Sequence, residues 1–70
     1  MIEIPSNSSA LLGFAYDPDR RLLQVRFRTG DLYLYHSVPP EVVEAITLAP
    51  SQGQYFNLTI RNQFSFTRLS

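Results

Sequence analysis

Leu22-Leu23-Gln24-Val25-Arg26-Phe27-Arg28, then Thr29-Gly30-Asp31, then Leu32-Tyr33-Leu34-Tyr35-His36 is the stretch on which the fold turns. Leu23, Val25 and Phe27 alternate with Gln24, Arg26 and Arg28, and a period of two marks a half-buried strand. Gly30 tolerates positive φ, so Thr29-Gly30-Asp31 reverses the chain and Leu32 to His36 runs back as the next strand. Two registers are open. A two-residue turn at Thr29-Gly30 puts Leu32 and Leu34 on the face of Val25 and Phe27, with Tyr33 and Tyr35 beside the arginines. A three-residue loop with a bulge at Gly30 or Asp31 flips that parity and turns both tyrosines inward.

Upstream, Leu11 to Tyr16 is a short apolar run closed by Asp17-Pro18-Asp19, in which proline presets the turn and the aspartates serve as turn residues. Three successive antiparallel strands make a meander. Met1 to Ser9 is polar and reads as irregular, with Pro5 and Asn7-Ser8-Ser9 marking loop. Downstream, Pro39-Pro40 stops the last strand and Pro40 suits a first helical turn. Val42, Ile46 and Ala49 follow at helical spacing with Val43 alongside, Glu41 and Glu44 favour the N-terminal end, and Pro50 ends the helix.

Ser51-Gln52-Gly53-Gln54 has the form of a capping box, which announces a second helix carrying Phe56, Ile60 and Phe64 on one side. Residues 54–61 also alternate as a strand would, and the capping box favours the helix. Phe64 to Thr67 alternates again, as a short C-terminal strand or an extended tail. The expected class is α+β: a three-stranded antiparallel meander, then two short helices.

At 70 residues the chain fits one domain, 1–70, and its 44% hydrophobic and 17% charged content is that of a folded globular chain. It has no cysteine, which excludes a disulfide, a thiolate metal site and a cysteine nucleophile. A single histidine argues against a zinc site, and no cofactor is expected. No apolar run approaches membrane-spanning length and no signal peptide opens the chain, so the expected setting is soluble and cytoplasmic, without a membrane partner. Six basic residues balance six acidic ones. Every basic residue is arginine, and Arg20, Arg21, Arg26 and Arg28 cluster in a stretch without acid.

Several of these pieces together resemble the KTSC domain, found at the C-terminus of some lysyl-tRNA synthetases and as small stand-alone proteins. The resemblance is carried by Ser8-Ser9, Tyr16-Asp17, Leu23-x-Val25-x-Phe27 with Gly30, Tyr33-x-Tyr35 and Val38-Pro39. It continues through Ala49-x-Ser51-x-Gly53-x-Tyr55-Phe56-Asn57 to Ile60-Arg61, spanning residues 8 to about 64. It implies both helices packed on one sheet face, inward-pointing Tyr33 and Tyr35, and exposed Leu32 and Leu34. It implies no known catalytic activity, and its synthetase context implies proximity to tRNA.

The side chains themselves give little support to catalysis. No G-x-S-x-G elbow activates a serine, His36 sits at a strand end, and Gly13, Gly30 and Gly53 match no nucleotide-binding spacing. A nucleic-acid module is better supported. Arg26 and Arg28 would project from one sheet face with Arg20 and Arg21 in the preceding turn, where a guanidinium binds phosphate or stacks on unpaired bases. Ser51, Gly53, Asn57 and Arg61 at the second helix form the other candidate, with Asn57 and Arg61 four residues apart on one face. The alternative is a protein-interaction module, a homodimer or docking domain, that uses Arg26, Arg28, Leu32 and Leu34 on the sheet face the helices leave open.

Overall fold

A computed structural model describes the whole chain, Met1–Ser70. Five antiparallel strands form one sheet in sequence order: β1 (Ile2–Pro5), β2 (Leu11–Asp17), β3 (Leu22–Phe27), β4 (Leu32–Tyr35) and β5 (Phe66–Arg68). Helix α1 (Pro40–Leu48) and helix α2 (Gln52–Tyr55) lie between β4 and β5, and α2 continues as a π-helical turn over Phe56–Ile60. The α+β class holds, and the strand count is corrected from three to five. The segment read as irregular contains β1, whose Ile4 pairs with Phe14 and is buried. Only this one residue of β1 is fully buried, so alternation is not visible in so short an edge strand. The C-terminal alternation is β5, whose Phe66 pairs with Tyr35.

Register decides what the sheet buries. Phe27 N–H donates to Asp31 O at 2.9 Å and Gly30 N–H to Phe27 O at 3.0 Å, leaving a three-residue loop with Gly30 at φ 99°. That positive φ gives the bulged hairpin its geometry. Leu23 therefore faces Tyr35 and Val25 faces Tyr33, so both tyrosines take the core side, while Leu32 and Leu34 take the other and are half-buried there. A bulge between Leu11 and Gly13 explains the unbroken apolar run of β2. With Leu12 as the extra residue, Leu11 and Phe14 both reach the core despite their odd spacing.

The core lies between this sheet face and the helices. Phe14, Leu23 and Val25 meet Val43 and Ile46 of α1, and Phe56 and Ile60 of the second helical segment. Phe56 is 2% exposed and Ile60 0%, so each contributes roughly 1.5–3 kcal/mol of burial. That supports the helical reading of 54–61. Ser51 Oγ accepts from Gln54 N–H at 3.3 Å, so one half of the capping box forms.

The N-terminal segment is clamped to the helices through polar atoms. Asn7 N–H donates to Gln52 Oε1 at 2.8 Å, and Gln52 N–H returns a bond to Asn7 Oδ1 at 3.1 Å. At the other end Tyr16 donates its hydroxyl to Val38 O at 2.6 Å, fixing the link from β4 into α1. Asp17 Oδ1 accepts from the N–H groups of Asp19 and Arg20, the turn role its sequence position suggests.

Candidate functional site

The arginines of residues 20–28 separate in space. Arg20 and Arg21 are exposed in the β2–β3 turn, at the end of the sheet opposite the β3–β4 hairpin that carries Arg28. Arg26 lies on the helix-free face and reaches across β2, its Nη2 2.9 Å from Glu3 Oε1. It passes over Gly13, where a Cβ would stand 3.0 Å from that nitrogen. Arg28 turns its Nε to the carbonyl of Ser9. On the helix-free face Arg26 is the cross-strand partner of Leu32, and Gln24 of Leu34. Three of the four protein-interface candidates are thus brought together, and Arg28 is held apart.

A different convergence occurs on the helix side. Between the β3–β4 hairpin and the second helical segment lies a cavity of about 370 Å³. Its wall is aromatic: Phe27, Tyr33, Tyr35 and Phe56, backed by Leu11. These rings pack edge-to-face, Phe27 against Tyr33 at 5.2 Å and Phe56 against Tyr35 at 5.5 Å between centroids. Its polar rim is Thr29, Asp31, Asn57 and Arg61. The π-helical turn, closed by Arg61 N–H on Phe56 O at 2.9 Å, sets Asn57 and Arg61 side by side, with Nη1 3.4 Å from Oδ1.

Charge collects at this mouth. Arg61 is the one basic residue that lines it, whereas Arg28 is not part of the lining and is anchored on Ser9 O. Arg68 of β5 is anchored at 2.8 Å on Asp31. Asp31 also accepts from the Thr29 hydroxyl at 3.0 Å, so its charge is matched within the protein. It is the only acidic residue lining the cavity. Burial pushes the Tyr35 hydroxyl pKa above its ordinary value, while the nearby positive charge of Arg61 opposes the shift.

The second-helix candidates divide as well. Gly53, Asn57 and Arg61 line the cavity, whereas Ser51 caps the helix and lies outside it. Gly53 has a packing role in addition, since a Cβ there would fall 2.9 Å from Ser8 Oγ. Tyr33, Tyr35, Asp31 and Arg68 were not among the sequence candidates. The tyrosines were legible as a pair once the bulged register is taken. Arg68 carried no local signal, because its partner Asp31 is 37 positions away in the chain. His36 Nε2 sits 2.8 Å from Thr67 Oγ1, a structural contact between β4 and β5. No cluster of three or more histidine or carboxylate side chains could hold a metal ion, and no helix is long and apolar enough to cross a membrane.

Known proteins are similar to this chain in sequence and fold. The KTSC domain profile matches residues 7–64. An uncharacterized protein of Stutzerimonas stutzeri is 43% identical over 63 residues, covering 90% of this chain and 89% of that one. A lysine–tRNA ligase of Nostoc punctiforme is 40% identical over 62 residues, 89% of this chain but 11% of the ligase. The crystal structure of a KTSC domain protein from Yersinia pestis superposes with a TM-score of 0.91 at 32% identity, covering 97% of this chain and 96% of the other. With the profile spanning most of the chain and the fold shared from end to end, this chain belongs to the KTSC domain family.

Proposed function

We propose that this domain is a non-enzymatic binding module that takes single-stranded RNA at the mouth of the aromatic cavity. The observation that carries the reading is the meeting of Arg61 with an aromatic wall in one concave site, with Arg68 held nearby on the lining residue Asp31. Guanidinium groups hold phosphates, and aromatic surface takes unpaired bases, which is how single strands are bound without a groove to read. A π-helical turn at Asn57 and Arg61 adds support, since such turns recur at functional sites. The ligase relative carries a matching segment, which agrees with an RNA setting.

The test is an amide NMR titration with a short single-stranded RNA at low and physiological salt. Shifts should gather on Thr29, Asp31, Asn57 and Arg61. For about one to two phosphate contacts, log affinity should fall against log salt with a slope of about −1. Arg61→Glu should weaken binding by about tenfold or more, while Arg20→Glu at the far turn should leave it unchanged. Absence of shifts at both salts overturns the reading.

A second reading is protein contact through the helix-free face, as a homodimer or with a larger partner. It is favoured by Leu32 and Leu34, which stay half-exposed beside Arg26. The paired change Leu32→Ser and Leu34→Ser should then lower the mass in solution. A monomeric parent of unchanged mass removes the homodimer.

A further inference from the structure

We propose that the cavity seats one unstacked nucleotide unit, its base inside against Phe27 and Tyr33 with the Tyr35 hydroxyl at the base edge, and its phosphate outside on Arg61. This rests on the RNA reading above and specifies how a strand engages the site. At about 370 Å³ the cavity is at the low end for small-ligand sites, which suits a single ring system rather than a stack.

Three polar groups at the site are left open by the protein. Tyr35 is 2% exposed, lines the cavity, and makes no hydrogen bond through its hydroxyl within the chain. The one buried side-chain polar atom without a partner is Arg26 Nε, so the Tyr35 hydroxyl opens to the cavity rather than being sealed in the core, and it can bond a ligand that enters. Asn57 uses its Oδ1 to accept from Arg61, which leaves its amide N–H groups free to donate at the rim. Arg61 is exposed and holds only that long contact of 3.4 Å, so its planar fork is available to an anion. Asp31, by contrast, is committed to Arg68 and Thr29 and does not compete for the donors.

The arrangement therefore demands two features in one ligand, a flat ring and an anionic group at its edge. A nucleoside satisfies the first, inorganic phosphate the second, and a nucleoside 5′-monophosphate both. In this placement the Tyr35 hydroxyl meets the base edge and Arg61 the phosphate, so substituting each tests a different part of the ligand. Tyr35→Phe deletes one oxygen that bonds to nothing in the protein, and its melting temperature should match the parent.

The experiment is an amide NMR titration with adenosine and uridine 5′-monophosphates, the matching nucleosides, and inorganic phosphate, run beside the single-stranded RNA. The monophosphates should shift Tyr35, Phe56 and Asn57, and should bind more tightly than the nucleosides or phosphate. Arg61→Gln should weaken the monophosphates by about tenfold and the nucleosides little, the effect of losing a charged contact. Tyr35→Phe should weaken both by about threefold or more, as one hydrogen bond is worth. If RNA binds while the monophosphates leave the cavity unshifted, or while Tyr35→Phe changes no affinity, the nucleotide pocket is overturned and the RNA reading stands. If RNA also fails to bind, the RNA reading falls and the pocket with it.

Discussion

Tyr16 and Tyr35 lie on the same face of the sheet, 3% and 2% exposed, and burial raises the hydroxyl pKa of each. They differ in what the hydroxyl meets. Tyr16 donates to Val38 O at 2.6 Å, whereas Tyr35 has no partner and borders a cavity. The contrast extends to their surroundings. Around Tyr16, Arg21 and Glu41 contribute opposing charges beside the β4–α1 link. Around Tyr35, the one acid of the rim is already matched and a free guanidinium remains. The β1–α1 half uses its polar atoms to hold itself together. The β4–α2 half leaves the Tyr35 hydroxyl open to the cavity, and the proposed binding site rests on that difference.

The largest expected effect comes from testing the two hydroxyls against each other. Tyr16→Phe removes a buried donor and leaves the Val38 carbonyl without it, which should cost about 1–2 kcal/mol. In a chain of this size that lowers the melting temperature by roughly 4–8 °C per kcal/mol. Tyr35→Phe should stay within about 0.5 kcal/mol of the parent, because no protein bond is lost. Urea unfolding of both variants decides the matter. Equal losses would mean that Tyr35 has a structural partner and that the two halves do not differ.

A smaller effect appears at alkaline pH. Both tyrosines hold their protons more tightly when folded than when unfolded, so above the ordinary pKa of 10.0 the native state binds more protons than the unfolded chain. Stability is then fully present below pH 10 and falls as pH rises through the raised values. Melts between about pH 9 and about pH 11 should show the decline, and each Tyr→Phe variant should flatten part of it. A parent whose stability is level across that range would show that neither tyrosine is desolvated.

Much of this half-and-half organisation was legible in the chain. Alternation at Leu23, Val25 and Phe27 located the central strand because that strand is buried on one face only. Proline at 40 and the Ser51 cap located the helices through local chemistry. What escaped was set by distant partners. Strand β1 exists because β2 offers it an edge, and β5 because β4 does, so neither carries a strong pattern of its own. The cavity was half-visible: Gly53, Asn57 and Arg61 follow from helical spacing, while Asp31 and Arg68 meet only through the closing of the sheet. The arginine cluster disperses in space for a related reason. Nearness in sequence along a strand and its two turns sends side chains to opposite ends and faces.

The smallest effect concerns that cluster, at Gly13. The guanidinium of Arg26 crosses the sheet to Glu3 through the space above this residue, and both side chains are substantially exposed at 43% and 66%. An exposed pair of this kind contributes about 0.2–1 kcal/mol. Gly13→Ala places a methyl 3.0 Å from the Arg26 Nη2 and forces the guanidinium aside. Replacing a strand glycine also reduces the entropy lost on folding by about 0.5–1 kcal/mol, which offsets the weakened pair. Net stability should therefore change by less than about 0.5 kcal/mol. The informative readout is a double-mutant cycle between Glu3→Gln and Arg26→Gln, measured with and without Gly13→Ala. Coupling should be present with glycine and weaker with alanine, because the guanidinium must give by a few tenths of an ångström. Coupling of unchanged strength would show that Arg26 reaches Glu3 by another path and that Gly13 does not set the position of the guanidinium.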